Sequence, residues 1–387
     1  MKILIINNLY KPYARGGGER VVELIVDEFR RLGHEIIIIT TKPCRASSVE
    51  SFDSKNKVYY LNSKYYNLVK IPLFLRLFWH VFDMFNFVNY FKINSILQKE
   101  KCDLVLTHNL KGVGLLATHA IRKNKIKNIH TLHDIQLFYP SGLMMYGKEK
   151  RVDSLLAKIY SKVNSLLIDS PRVVVSPSQW LLDEHLKRGF FKNSGCIVLP
   201  NPVILRETKE IIEREGNKTI FNLLYVGQIE NHKGVSFLVD AFNSLSRDDF
   251  NLHIVGDGSE IESIKSRAAQ NNKIFFYGRK SASEVEELMC MADCLMVPSL
   301  CYENSPTVIY EAASVNLPVI AARIGGITEL VRKIGGILFV PGDAPDLIKK
   351  IQWAKANQEL LKKIIKIHKI KKMAIEEYAK KLSCYFS

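Results

Sequence analysis

The chain has 387 residues, seven cysteines and a formal charge of +16 from 55 Lys and Arg against 39 Asp and Glu. Its length exceeds one ordinary core and implies about two domains, and an odd number of cysteines spread from Cys44 to Cys384 excludes a simple disulfide framework and points to reduced thiols in the cytoplasm. Charge is partitioned, +14 over residues 1–200, −6 over 201–348 and +8 over 349–387, so the first half and the tail suit an anionic membrane surface or a phosphate-bearing acceptor; no zinc-finger spacing, RNA-recognition signature or aromatic-basic repeat supports a nucleic-acid partner.

Met1-Lys2-Ile3-Leu4-Ile5-Ile6 is too short an apolar run for a secretory signal and reads as a first strand. A loop ending in Arg15-Gly16-Gly17-Gly18-Glu19-Arg20 follows, then a helix with Val21, Leu24, Ile25 and Phe29 at helical spacing, a stop at Gly33 and a second strand over 35–40. Three glycines permit close backbone approach to a ligand, although the spacing is not that of the dinucleotide fingerprint. Residues 71–91 are apolar enough to be mistaken for a membrane span. Arg76, His80, Asp83, Asn86 and Asn89 nevertheless fall three or four apart, a polar stripe on one helix with a broad aromatic surface, which predicts either a core helix or one that lies on an interface. Strands over 103–107 and 129–132 lead into His108-Asn109 and His133-Asp134, at the strand ends where open α/β sheets bind ligands. Two further strand-like runs lie near 173–175 and 196–199, and a polar stretch over 201–219 predicts the hinge.

In the second half, the apolar run 221–226 ends in Gly227-Gln228-Ile229-Glu230-Asn231-His232-Lys233-Gly234, and strands over 252–255, 274–277, 293–297, 318–321 and 335–340 alternate with helices. After Val297 the chain reads Pro298-Ser299-Leu300-Cys301-Tyr302-Glu303-Asn304-Ser305-Pro306-Thr307-Val308. Asn304 or Ser305 can cap a helix with Pro306 in its first turn, and the N–H groups at its start can hold a phosphate. Glu303 just before that anion site and Glu311 two turns along suit sugar hydroxyls better than phosphate, because like charges repel. Cys290, Cys294 and Cys301 have no matching pair elsewhere and read as packing residues rather than a zinc site. From about Ala344 the chain reads as helical and Lys-rich.

Glu303, seven residues and Glu311, with Pro306 third after the first and Ala312-Ala313 after the second, resemble the donor-site signature of retaining glycosyltransferases of family 4. That resemblance implies the GT-B fold, α/β with two Rossmann-like doubly wound domains facing across a cleft. It implies an acceptor-binding domain over 1–200, a nucleotide-sugar-binding domain over 201–365, and a basic helix over 366–387 returning to the first. By the same resemblance Glu303 contacts the transferred sugar and Glu311 the ribose; Asn304, Ser305, Pro306, Thr307 and Val308 form the phosphate-binding turn. Gly16 and Gly17 lie against the distal phosphate and sugar, and His133, in Thr131-Leu132-His133-Asp134, against the donor sugar. The family's Gly-Arg…Lys-Gly loop puts two cations on the diphosphate. Lys233 matches, whereas Gln228 stands where an arginine is usual and removes a charge-assisted contact of about 1.5–3 kcal/mol.

The function so implied is transfer of a sugar, with retention, from a UDP- or GDP-linked donor to a saccharide or lipid-linked saccharide acceptor, in bacterial surface polysaccharide or glycolipid synthesis. No metal and no cofactor beyond the nucleotide-sugar co-substrate is expected, and the site is cytoplasmic, peripheral on the inner face of the plasma membrane. Three other readings share these motifs: a nucleotide-sugar epimerase, a phosphorylase carrying pyridoxal phosphate, and a non-catalytic sugar-nucleotide-binding scaffold.

Overall fold

The computed structural model describes residues 1–14, 16–44, 56–204, 220–245, 249–365 and 367–386. They divide into two compact units, the first made of Met1–Leu143, Lys150–Pro202 and Ile375–Ser387, the second of Met144–Glu149 and Val203–Ala374. The expected hinge falls over 201–219, and 205–219 lie outside the described residues.

The first unit is built on seven strands: β1 (Lys2–Ile6), β2 (Glu35–Pro43), β3 (Lys57–Ser63), β4 (Leu104–Thr107), β5 (Lys127–Thr131), β6 (Val173–Ser176) and β7 (Gly195–Val198). They pair in parallel in the order β3-β2-β1-β4-β5-β6-β7. Both faces are covered, which is why the strands read as unbroken apolar runs. Ile3 and Ile5 enter one core with helix Gly17–Arg31 and helix Ile375–Ser383, while Leu4 and Ile6 enter another with helices Phe87–Glu100 and Leu116–Lys123. The second unit repeats the plan with β8 (Phe221–Val226), β9 (Phe250–Val255), β10 (Ile274–Phe276), β11 (Cys294–Val297), β12 (Val319–Ala322) and β13 (Ile337–Phe339), all parallel in the order β10-β9-β8-β11-β12-β13. In each sheet the winding direction reverses beside the first strand, between β1 and β4 and between β8 and β11. At such a switch the flanking loops part and leave a crevice.

Three features depart from the sequence reading. Strand β3 was not anticipated; it is an edge strand whose Val58-Tyr59-Tyr60-Leu61 run lies between Lys57 and Asn62-Ser63. The stretch 71–91 is two helices, Leu73–Met84 and Phe87–Glu100, with Phe85 and Asn86 between them; the Asn86 side chain caps the second by accepting from the Asn89 N–H at 3.0 Å. The polar stripe turns inward: Asp83 accepts from the Gly112 N–H at 2.9 and 3.0 Å, and the Asn89 amide donates to the Val113 carbonyl at 2.9 Å. The aromatic surface turns outward, with Phe74, Phe78 and Phe82 at 73, 61 and 76% exposure. The tail is four helices, Ala344–Ala356, Gln358–Ile364, Ile367–Lys371 and Ile375–Ser383, the last buried through Tyr378, Ala379 and Leu382. Among the described residues no helix is long and apolar enough to cross a membrane.

Burial pushes the Asp83 carboxyl up to about 7, against the opposing pull of the Gly112 N–H and Lys111. The folded chain thus keeps a proton that the unfolded chain releases near pH ~4, so Asp83 makes stability fall as pH rises from about 4 to about 7. Asp83→Asn keeps an acceptor for Gly112 and should flatten that slope in denaturant unfolding measured at successive pH values. A smaller slope remains from Asp134, raised by burial to about 6; a slope equal to that of the unmodified protein would assign the effect to other groups.

Candidate functional site

The crevice of the second unit is bounded by the loop after β8 and the loop after β11. Two close approaches fix these loops against each other. Gly234 sits at φ +73°, and a Cβ there would lie 2.0 Å from the Pro298 carbonyl oxygen, so only glycine lets the backbones meet. The Leu300 N–H then donates to the His232 carbonyl at 3.0 Å. The adjoining Lys233 ammonium therefore reaches Glu303, Nζ to Oε2 at 2.7 Å, and the Ser299 hydroxyl donates to Oε1 of the same carboxylate. Burial alone would push Lys233 down and Glu303 up. Each is overridden by its partner, so the lysine is held above its ordinary value, the glutamate below, and both are charged.

Beside this pair starts helix Thr307–Ser314. Its N-cap position is Pro306 rather than Asn304 or Ser305; Ser305 shares a 2.5 Å hydrogen bond with the Tyr310 hydroxyl, and Asn304 is buried. The first-turn N–H groups of this helix are those of Thr307 and Val308. The Glu303 carbonyl accepts from the Gly326 N–H at 2.9 Å, which ties the glycine turn after β12 to the same loop. Glu311 is exposed on the helix, and Gln228 is exposed in the β8 loop, its carbonyl accepting from the Tyr225 hydroxyl at 2.6 Å. Lys233, Glu303, Asn304, Ser305, Pro306, Thr307 and Val308 are therefore gathered at one switch point.

In the first unit the glycine loop and two strand ends converge. Gly16 precedes helix Gly17–Arg31, its N–H donating to the Glu19 carboxylate at 2.5 Å. A Cβ on Gly18 would lie 3.5 Å from Nδ1 of His133, so the start of this helix lies against that histidine. His133 Nε2 is 2.9 Å from Nδ1 of His108. Burial lowers both, His133 to about 4 and His108 well below the usual value, so the pair is neutral at physiological pH.

Several members of the site were not singled out from the sequence. Ser299 holds Glu303 but sits in a Pro-Ser-Leu-Cys string with no pattern of its own. The Pro298–Gly234 contact joins residues 64 apart in sequence. The segment Met144–Glu149 belongs to the second unit: Met145 bridges Cys301, the Tyr302 N–H donates to the Met144 carbonyl at 2.8 Å, and the Tyr302 hydroxyl donates to Glu149 at 3.0 Å. Among the described residues no group of three or more His, Cys, Asp or Glu is placed to hold a metal ion, and Cys290, Cys294 and Cys301 are not in disulfides.

Residues 15–207 match the model of Glycosyltransferase Family 4, and residues 207–371 that of Glycosyl transferases group 1. The chain is 26% identical over 348 residues to an uncharacterized 42.6 kDa protein of the cps region in Klebsiella pneumoniae, covering 88% of this chain and 90% of that one. It is also 26% identical over 366 residues to a Bacillus subtilis protein whose name assigns it to teichuronic acid biosynthesis as a glycosyltransferase, covering 91 and 88%. Among solved structures, that of Anabaena Alr3699/HepE with UDP and glucose aligns over 99% of this chain and 98% of its own with a TM-score of 0.72 at 18% identity, a likeness of fold. The paired parallel sheets, the glutamate-bearing loop at the second switch point and the two contiguous family matches converge: the chain is a family 4-like glycosyltransferase of the GT-B fold.

Proposed function

We propose that the enzyme transfers a sugar from a nucleotide-sugar to an acceptor hydroxyl, with retention, in the synthesis of a surface polysaccharide or glycolipid. The observation that carries this reading is the Lys233–Glu303–Ser299 cluster beside the start of helix Thr307–Ser314. It offers a fixed cation and first-turn N–H groups to a diphosphate, and a carboxylate to sugar hydroxyls. Support for the donor comes from the UDP held by Alr3699/HepE, and for the product class from the cps and teichuronic acid assignments of the two relatives.

The roles follow from charge. Negative charge grows on the departing diphosphate, and Lys233 with the Thr307 and Val308 N–H groups neutralises it in place. Glu303, kept ionised by Lys233, accepts from the transferred sugar, and Glu311, exposed on the same helix, accepts from the ribose. Gly16 and Gly17 allow close approach of the distal phosphate and sugar. Neutral His133 presents a donor or acceptor to the sugar without adding charge. Gln228 leaves the diphosphate one cation short, so Lys233 and the helix start carry more of the neutralisation.

The acceptor side is read from the first unit. Phe74, Phe78, Phe82, Val88 and Phe91 are exposed on helices Leu73–Met84 and Phe87–Glu100, as are Leu155, Leu156 and Ile159 on helix Leu155–Ile168, with Lys92 and Lys158 exposed among them. An aromatic surface with interspersed lysines suits the headgroup region of an anionic membrane, and a lipid-linked saccharide as acceptor. This would place the enzyme peripherally on the cytoplasmic face.

Glu303→Gln strands the Lys233 charge in a half-buried site and should cost roughly 1–3 kcal/mol of stability, whereas Lys233→Met with Glu303→Gln recovers most of it. Both proteins should lose sugar transfer. Because Glu303 is lowered and Lys233 raised, the pair's contribution is complete between roughly pH 5 and 10; it is lost as pH falls through the depressed glutamate value or rises through the raised lysine value. Denaturant unfolding and donor turnover check this, and a Glu303→Gln protein of unchanged stability and rate would contradict it. In a second experiment, the protein should sediment with phosphatidylglycerol vesicles at low salt and release as salt rises. Phe78→Asp with Phe82→Asp should abolish the binding with little change in melting temperature, and indifference of the unmodified protein to the vesicles would remove the membrane from the account.

A further inference from the structure

The first unit holds a cavity of about 40 Å³ bounded by helix Leu73–Met84, the ends of β4 and β5, and helix Leu155–Ile168. A water needs roughly 10–15 Å³ on this measure, so there is room for two or three water-sized groups. Three buried polar atoms without a hydrogen-bond partner belong to residues that line it: Nε2 of His108, Oε1 of Gln136 and Oδ1 of Asn164. His108 and Asn164 are each 1% exposed. Leaving one such atom unmet costs roughly 1–3 kcal/mol, so three around one cavity call for an occupant.

The chemistry of that occupant can be read from the lining. Asn164 is not free to turn its amide over, because Nδ2 already donates to the Leu137 carbonyl at 2.8 Å; Oδ1 is therefore fixed as an acceptor awaiting a donor. Gln136 Oε1 is a second acceptor. Asp83 and Asp134 add carboxylates, and against them stands Lys111, whose ammonium is already bonded to the Pro140 carbonyl at 2.6 Å. A phosphate brings only acceptors and negative charge and fits this lining poorly. A hydroxyl donates to an amide oxygen and also accepts from an imidazole N–H, satisfying both kinds of orphan. At the other side, His133, Asp134, Asn109 and Lys111 are half-buried rather than sealed, which gives the cavity a mouth beside the histidine pair.

We propose that this cavity is a saccharide subsite that takes one or two hydroxyls of the acceptor, with Asn164 and Gln136 as specificity-determining residues. Calling the group an acceptor rests on the transferase reading; the binding of hydroxyls does not. It also separates two kinds of recognition in the first unit, since the exposed aromatic surface would meet lipid while the cavity inspects a sugar.

The test uses the full-length protein with a panel of methyl glycosides (gluco-, galacto-, manno- and rhamnopyranosides) as probes, followed by saturation-transfer NMR and titration calorimetry. At least one should bind, and Asn164→Leu should weaken it roughly tenfold, the effect of about one buried hydrogen bond. UDP affinity, read in the same samples, should stay unchanged. Gln136→Leu, at a half-buried position, gives a second variant should the first unfold, and is expected to act in the same direction. Absence of glycoside binding across the panel, equal binding by the variants, or displacement of the glycoside by inorganic phosphate would overturn the proposal, the first two leaving water as the occupant. Loss of UDP binding with glycoside binding intact would instead count against the transferase reading and leave the subsite standing.

Discussion

The half-buried ion pair between Lys233 and Glu303 is the interaction on which the rest of the second unit's functional end depends. Removing each charge from water costs several kcal/mol, and the partner at 2.7 Å together with the Ser299 hydroxyl offsets that cost. Two apolar side chains of similar size would stabilise the fold as well or better. What they could not do is hold a full positive and a full negative charge, partly desolvated, beside the start of a helix. The arrangement needs the β8 and β11 loops in backbone contact, and the bare Cα of Gly234 against the Pro298 carbonyl provides that contact.

The two units use one winding plan for different electrostatic ends. At the first switch point the histidine pair is neutral: burial keeps His108 and His133 from taking up a second proton. The second switch point instead keeps its charges, because they come as a pair. A strand order that reverses beside its first member opens a crevice in either case, and the residues delivered to the crevice decide what it recognises. In the proposed reaction the crevice of the ion pair takes the diphosphate and the crevice of the neutral histidines takes sugar.

Much of this was legible in the sequence because parallel sheets covered on both faces leave unbroken apolar runs, and because glycines and prolines mark the turns after them. Ile3 to Ile6, Phe221 to Val226 and Cys294 to Val297 announce themselves in this way. The spacing of Glu303 and Glu311 identified the family, and Lys233 could be aligned to it. Strand β3 was passed over although Val58-Tyr59-Tyr60-Leu61, β-branched and aromatic, is a strand signal in its own right. The pairing of Lys233 with Glu303 was missed because the partners are 70 residues apart, and each had been given to a separate part of the ligand. The N-cap position falls on Pro306 rather than on Asn304 or Ser305, and Ser305 meets Tyr310. The inward turn of the polar stripe over 76–89 depended on Gly112 and Val113, which no helical periodicity reveals.

The central claim is that the crevice between β8 and β11 is a nucleotide-sugar site organised by Lys233 and Glu303. The most direct measurement is thermal unfolding of the purified protein against UDP, GDP and their common sugar conjugates, alongside the Lys233→Met, Glu303→Gln protein. A ligand at a hundred times its dissociation constant adds about 2.7 kcal/mol of stability. The account predicts selective stabilisation by one base that is lost in the double variant. A flat response from a protein that otherwise unfolds cooperatively, or equal stabilisation of the double variant, would contradict it.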